Sequence, residues 1–159
     1  MRTLLIIIFA LAGVMARAQT YTGKVTAVKD GDTIEMLVNG KPLRIRLYGV
    51  DSPEKGQPFG EKARQYTSRL CFGKVVKARK ESHDQYGRTV AEVFLPDGSS
   101  LNMQLVQAGY AWQYTFYSKS EEMTAAQAAA KAARKGLWLD AHPVAPWEWR
   151  KQHRKAASR

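Results

Sequence analysis

Four carboxylates, Asp30, Asp32, Asp51 and Glu54, crowd turn positions in a chain that is otherwise strongly basic. Two carboxylates, a backbone carbonyl and waters are what a hard divalent cation needs, and ligand count alone does not choose between Ca²⁺ and Mg²⁺. Asp30 is read differently, as a turn residue of Asp30-Gly31-Asp32. Arg46 precedes Asp51 by five residues and shares a strand face with Tyr48 and Val50. Arg88, in Tyr86-Gly87-Arg88, is a second cation. A guanidinium clamps phosphate bidentately and keeps its proton. Glu54 follows the rigid Ser52-Pro53 pair, where it can accept a proton from a water beside the metal. Together these residues describe metal-assisted phosphodiester cleavage.

The elements that must position them follow from pattern and punctuation. Tyr21–Val28 and Thr33–Val38 read as strands on either side of the Asp30-Gly31-Asp32 turn. Asn39-Gly40 is a type I′ hairpin signal that returns the chain through Pro42–Val50, making a three-strand meander. Asp32 and Asp51 then sit at strand ends that a meander brings together. Glu61–Cys71 reads as a helix stopped by Gly73, and Lys74–Lys80 and Thr89–Leu95 as two more strands. Helices follow at Leu101–Ala108 and from a Ser118-x-x-Glu121 capping box to Lys135. The expected fold is α+β, a five-stranded OB-type β-barrel with three packed α-helices.

The 159 residues suit one domain that buries a core without metal or disulfide staples. Its single cysteine excludes a disulfide framework, and Cys71, between Leu70 and Phe72, reads as a small hydrophobe. The net charge of +11 points to polyanions. Arg2, the apolar run Leu4–Val14 and Ala16-Arg17-Ala18 have the form of a signal peptide cleaved after Ala18, too short to span a bilayer. The expected organisation is therefore a leader at 1–18, the folded domain at 19–149 and a basic tail at 150–159. The tail reads either as frayed chain or as an arm for phosphates. His83, His142 and His153 lack metal-ligand spacing and read as surface residues.

From Tyr21 to Trp138 the chain resembles the staphylococcal nuclease (thermonuclease) family. The carriers are Val28–Thr33, Arg46–Glu54 and Asp84–Arg88, in that order and spacing. The resemblance implies an OB-fold barrel with three helices and Ca²⁺-dependent cleavage of DNA and RNA at the 5′ P–O bond, leaving 3′-phosphates. It implies calcium carboxylates at Asp32 and Asp51, a carbonyl ligand at Ser52, phosphate-binding Arg46 and Arg88, and a general base at Glu54. Tyr86 and Tyr117 become substrate-binding candidates. Ser52 stands where threonine is usual, Gln85 where a lysine holds a terminal phosphate, and Thr115 where a base-stacking tyrosine is usual. Tyr114 or Phe116 is a substitute platform, although strand alternation would turn both away from Tyr117.

The expected protein is an exported, monomeric hydrolase, periplasmic or secreted. It would use one Ca²⁺ in preference to Mg²⁺ or Mn²⁺ and act on DNA and RNA, single strands preferred, without stable membrane insertion after leader removal. The alternative is a non-catalytic OB-fold binder of single-stranded nucleic acid. A cationic membrane-surface protein is disfavoured by the lack of a basic amphipathic helix. A pure polyanion binder would gain nothing from three carboxylates at a phosphate site.

Overall fold

Residues 19–157 are described by the structure, a computed structural model, with side chains placed to Arg154. The leader assigned to Met1–Ala18 lies outside them. In chain order the elements are β1 (Thr20–Asp30), β2 (Thr33–Val38), β3 (Lys41–Leu47), β4 (Val50–Asp51), α1 (Gly60–Cys71), β5 (Val75–His83) and β6 (Thr89–Phe94). They continue with α2 (Leu101–Gln107), β7 (Trp112–Gln113), α3 (Glu121–Ala132), a 3₁₀ turn (Gly136–Leu139) and α4 (Pro146–Ala157).

Five strands close a barrel in the order β1-β2-β3-β6-β5, and β1 pairs with β5 to complete it. All neighbours are antiparallel except β3 and β6, which run parallel. Alternation turns Ile34 and Met36 of β2, Ile45 and Leu47 of β3, Val76 and Ala78 of β5, and Ala91 and Val93 of β6 into the interior. Asn39 and Gly40 both take positive φ, as a type I′ turn demands, and this sets the β2–β3 register of Met36 against Leu43. Leu101, Leu105 and Val106 of α2 and Met123 of α3 join the same apolar cluster.

Four departures from the sequence reading matter. The strand expected through Val50 stops at Leu47, and Val50–Asp51 pairs separately with β7. Ser120, not Ser118, caps α3, its side chain accepting the Met123 N–H; the Ser118 hydroxyl instead accepts the Ser120 N–H. That helix ends at Ala132, before the left-handed Arg134 and Gly136. A fourth helix stands beside the expected three: Pro146 occupies its first turn, where a missing N–H costs nothing, and the basic ending is helical as far as Ala157.

Candidate active site

The Asp30-Gly31-Asp32 turn is tied down on three sides. Asp30 Oδ1 accepts the Asp32 N–H at 3.1 Å, and Thr67 of α1 donates its hydroxyl to the Gly31 carbonyl at 2.6 Å. Gly31 packs against Ser52 so closely that a Cβ there would lie 2.6 Å from Ser52 Cβ. Ser52 then donates its N–H to Asp32 Oδ2 at 2.6 Å. On the opposite flank, Asn102 of α2 donates to the Tyr48 carbonyl at 2.9 Å and accepts the Val93 N–H, fixing the turn that leads into Asp51.

Asp32 and Asp51 are both buried, and they converge on one guanidinium. Arg46 Nη1 lies 2.8 Å from Asp32 Oδ2, and Nη2 lies 2.7 Å from Asp51 Oδ1. Burial, together with the nearby Asp30 and Asp51, pushes the Asp32 carboxyl well above the ordinary carboxylate range, against the pull of Arg46 and the Ser52 N–H. Burial alone would weaken the charge on Arg46, but the surrounding carboxylates outweigh it and hold the guanidinium more firmly charged. Two carboxylates packed this closely need positive charge between them.

That demand tests the implied calcium ion. The donors are all oxygens, as a hard cation prefers. The Ser52 hydroxyl is buried without a hydrogen-bond partner among the described residues, so the main-chain N–H to Asp32 Oδ2, and not the side chain, pairs this residue with the turn. No group of three or more His, Cys, Asp or Glu side chains is gathered for a metal among the described residues. Side chains therefore offer two donors, Asp32 and Asp51, and main chain and water must supply the rest. The site fits an ion that keeps several waters.

Glu54 sits on the loop between β4 and α1. Its N–H donates to the buried Gln57 side chain at 3.0 Å, and Gln57 Nε2 donates to the Val144 carbonyl at 2.7 Å. A side chain at Gly60 would collide with the Glu54 carbonyl, so only glycine lets the loop close this tightly. The Glu54 carboxylate accepts from Arg150 Nη1 at 2.5 Å.

Across an open cleft of about 710 Å³ lies Arg88. Its Nε donates to Asp84 Oδ2 at 2.6 Å, and Asp84 Oδ1 accepts the Tyr86 and Arg88 N–H groups. Although partial burial opposes it, these bonds hold the Asp84 carboxyl below its ordinary range. Arg88 Nη2 has no partner among the described residues, so this fork has donors to spare.

Asp32, Arg46, Ser52, Glu54, Arg88 and both candidate tyrosines line the one cleft. Asp51 is the exception, fully buried behind the wall under Arg46 and Arg150. Tyr86 and Tyr117 are 75% and 68% exposed at the rim. The alternation argument for Tyr114 fails because residues 114–118 form a turn, with the Tyr117 and Ser118 N–H groups both donating to the Tyr114 carbonyl. Tyr114 therefore lies on the same side as Tyr117, ring centroids 5.2 Å apart, and lines the cleft. Phe116 is exposed, and Thr115 carries no ring.

The sequence reading missed Gln57 and Arg150. Each acts through a partner remote in sequence, and an arginine in a basic run looks like its neighbours. Pro146 as a helix start, with Trp147 and Arg150 one turn apart, was the available signal.

A profile of staphylococcal nuclease homologues matches residues 44–140. A protein of Escherichia coli O157:H7 named as an uncharacterized endonuclease is 42% identical over 133 residues, covering 84% of this chain and 86% of its own. Protein ParB of Escherichia coli is 39% identical over 82% of this chain and 79% of its own. A micrococcal nuclease of Shigella flexneri is 36% identical over 87% of this chain and 85% of its own. With the barrel, the paired aspartates and the facing arginine already in place, these matches establish that the chain belongs to the staphylococcal nuclease family.

Proposed function

We propose that this protein is a calcium-dependent nuclease that hydrolyses DNA and RNA at the 5′ P–O bond and leaves 3′-phosphates. The observation that carries this reading is the convergence of two buried carboxylates, Asp32 and Asp51, on Arg46 at one wall of a cleft whose other wall presents an incompletely satisfied arginine. Asp32, Asp51 and the Ser52 carbonyl would hold the ion. When bound, calcium supplies positive charge to a phosphate oxygen and to the attacking water.

The chain's own groups do the remainder. Glu54 accepts the proton of the attacking water as its oxygen bonds to phosphorus. Arg88, anchored by Asp84 but with donors free, binds the phosphate oxygens and stabilises the charge that grows on them. Arg46 keeps Asp32 and Asp51 together and lines the cleft beside them, where its guanidinium would donate to a phosphate oxygen. The 5′ oxygen leaves into an open cleft with access to solvent protons. Tyr86, Tyr114 and Tyr117 give the rim aromatic faces for splayed bases, which favours single strands.

Glu54→Gln and Arg88→Ala are each expected to slow hydrolysis of heat-denatured DNA by about a thousandfold, the scale of losing a contact made in the transition state. Products should carry 3′-phosphate ends. Near-normal rates in either purified variant would overturn this mechanism.

The same proposal has the leader Met1–Ala18 removed and the mature chain exported as a monomer to the periplasm or beyond. Among the described residues no helix is long and apolar enough to cross a membrane. Edman sequencing of the exported protein should begin at Gln19, and a retained Met1 would contradict export by cleavage.

A further inference from the structure

We propose that Arg150, on α4, is a positioning residue of this same cleft. It holds Asp51 and Glu54 in place, and its charge also weakens cation binding there. The inference rests on the nuclease reading and adds the C-terminal helix to the site.

The geometry builds from the helix start. Pro146 opens α4, and Trp147 packs its ring on Tyr114 at 5.5 Å, nearly parallel, and edge-on to Trp112 at 5.7 Å. Residues three apart share a helix face, so anchoring Trp147 aims Arg150 at the same region. Arg150 Nη2 lies 2.8 Å from Asp51 Oδ2 and Nη1 lies 3.2 Å from Asp51 Oδ1, the bidentate arrangement natural to a planar fork. Nη1 also reaches Glu54 Oε1 at 2.5 Å.

Two features separate this from a solvated surface charge. Arg150 is the only partner of the Glu54 carboxylate among the described residues, so without it that side chain is free to rotate on its loop. Its backbone is held independently, through Gln57, by the Val144 carbonyl just before α4. The C-terminal segment thus fixes Glu54 twice, once by main chain and once by guanidinium. Only Oε1 is engaged, which leaves Oε2 to accept a proton.

The arrangement has a cost. Asp51 is a candidate cation ligand, and each of its oxygens already faces a guanidinium: Oδ1 faces Arg46 and Arg150, and Oδ2 faces Arg150. A divalent ion entering beside Asp51 meets repulsion from Arg150. Removing Arg150 should therefore move two properties in opposite directions. Cation affinity should rise while turnover falls, whereas a merely structural residue would lower both.

The experiment compares wild type, Arg150→Ala, Arg150→Lys and the control Lys151→Ala, which removes an exposed charge on the same helix. Calcium binding is measured by calorimetry without nucleic acid, and kcat and KM are measured on heat-denatured DNA. Tryptophan fluorescence and thermal melting report whether Trp147 stays packed. In Arg150→Ala, calcium should bind several-fold more tightly, and kcat should fall about 10- to 100-fold, the scale of a misplaced catalytic group, with KM within about twofold. Arg150→Lys keeps the charge but not the fork. Its calcium affinity should stay near wild type and its kcat fall between the two.

Unchanged kcat in Arg150→Ala would overturn the proposal while leaving the nuclease reading intact. A raised kcat would make Arg150 a plug, and a matching rise in KM for Arg150→Ala and Lys151→Ala would make α4 only a phosphate-binding arm; either result refutes positioning. Weaker calcium binding with a lower melting point would assign Arg150 a structural role alone. Absence of hydrolysis by wild type with any divalent ion would remove the nuclease reading and this proposal together.

Discussion

The two walls of the cleft are built on opposite principles. On one wall Asp32 and Ser52, with Asp51 behind them, are buried beside strand ends around the part-buried Arg46, and each is bound to another within hydrogen-bond distance. On the other, Arg88 and Tyr86 stand on an exposed turn held mainly by Asp84. The first wall is costly to build, because like charges are drawn together out of water, and it is correspondingly rigid. The second is inexpensive and adaptable. A metal site needs fixed oxygens, whereas a surface that takes any nucleotide needs donors and rings that can adjust. Mutations should therefore cost stability on the first wall and activity alone on the second.

The sharpest break in that comparison is between the two cleft arginines. Arg88→Ala should lose about a thousandfold in rate and keep stability within about 1 kcal/mol, since its ion pair with Asp84 is partly exposed. Arg46→Ala should lose comparable activity and also about 3–5 kcal/mol of stability, because it strands buried carboxylates. Urea unfolding of the two purified variants measures the difference, and equal stabilities would erase the distinction between the walls.

Smaller changes sharpen the same contrast. Gly31→Ala forces a Cβ against Ser52 and should cost about 1–3 kcal/mol, with weakened calcium binding by calorimetry. At the rim, Tyr117→Ala should raise KM for single-stranded DNA several-fold, reflecting about 1 kcal/mol of stacking, and leave the melting temperature unchanged.

The smallest effect belongs to the core beneath both walls. Burial pushes the Cys71 thiol up to about 12 from its ordinary 9.0. The folded chain keeps this proton while the unfolded chain releases it, so stability is fully present below pH 9 and declines as pH rises towards 12. Melting curves between pH 8 and 11 should fall more steeply for wild type than for Cys71→Ala, and parallel slopes would refute this.

How much was legible beforehand follows from the range of the signals. The Asn39-Gly40 turn, the alternation of Ile34 and Met36, and the order of the carboxylates are local patterns; they foretold the barrel and the meeting of Asp32, Arg46, Glu54 and Arg88 at one cleft, but not that Asp51 lies buried behind its wall. Ser120 displaced Ser118 as a cap because tertiary contact with Gly49 buries Ser118, which no spacing rule reports. Tyr114 was misjudged because alternation was applied to a turn. Arg150 escaped notice because its meaning lies in carboxylates 96 and 99 residues away.

The most direct test is hydrolysis of heat-denatured DNA by purified Gln19–Arg159 with Ca²⁺, with excess chelator, and beside Asp32→Asn. Cleavage should require the ion and fail in the variant. Tight, salt-sensitive binding of DNA without cleavage under any divalent ion would contradict it and leave a barrel that binds nucleic acid without cutting it.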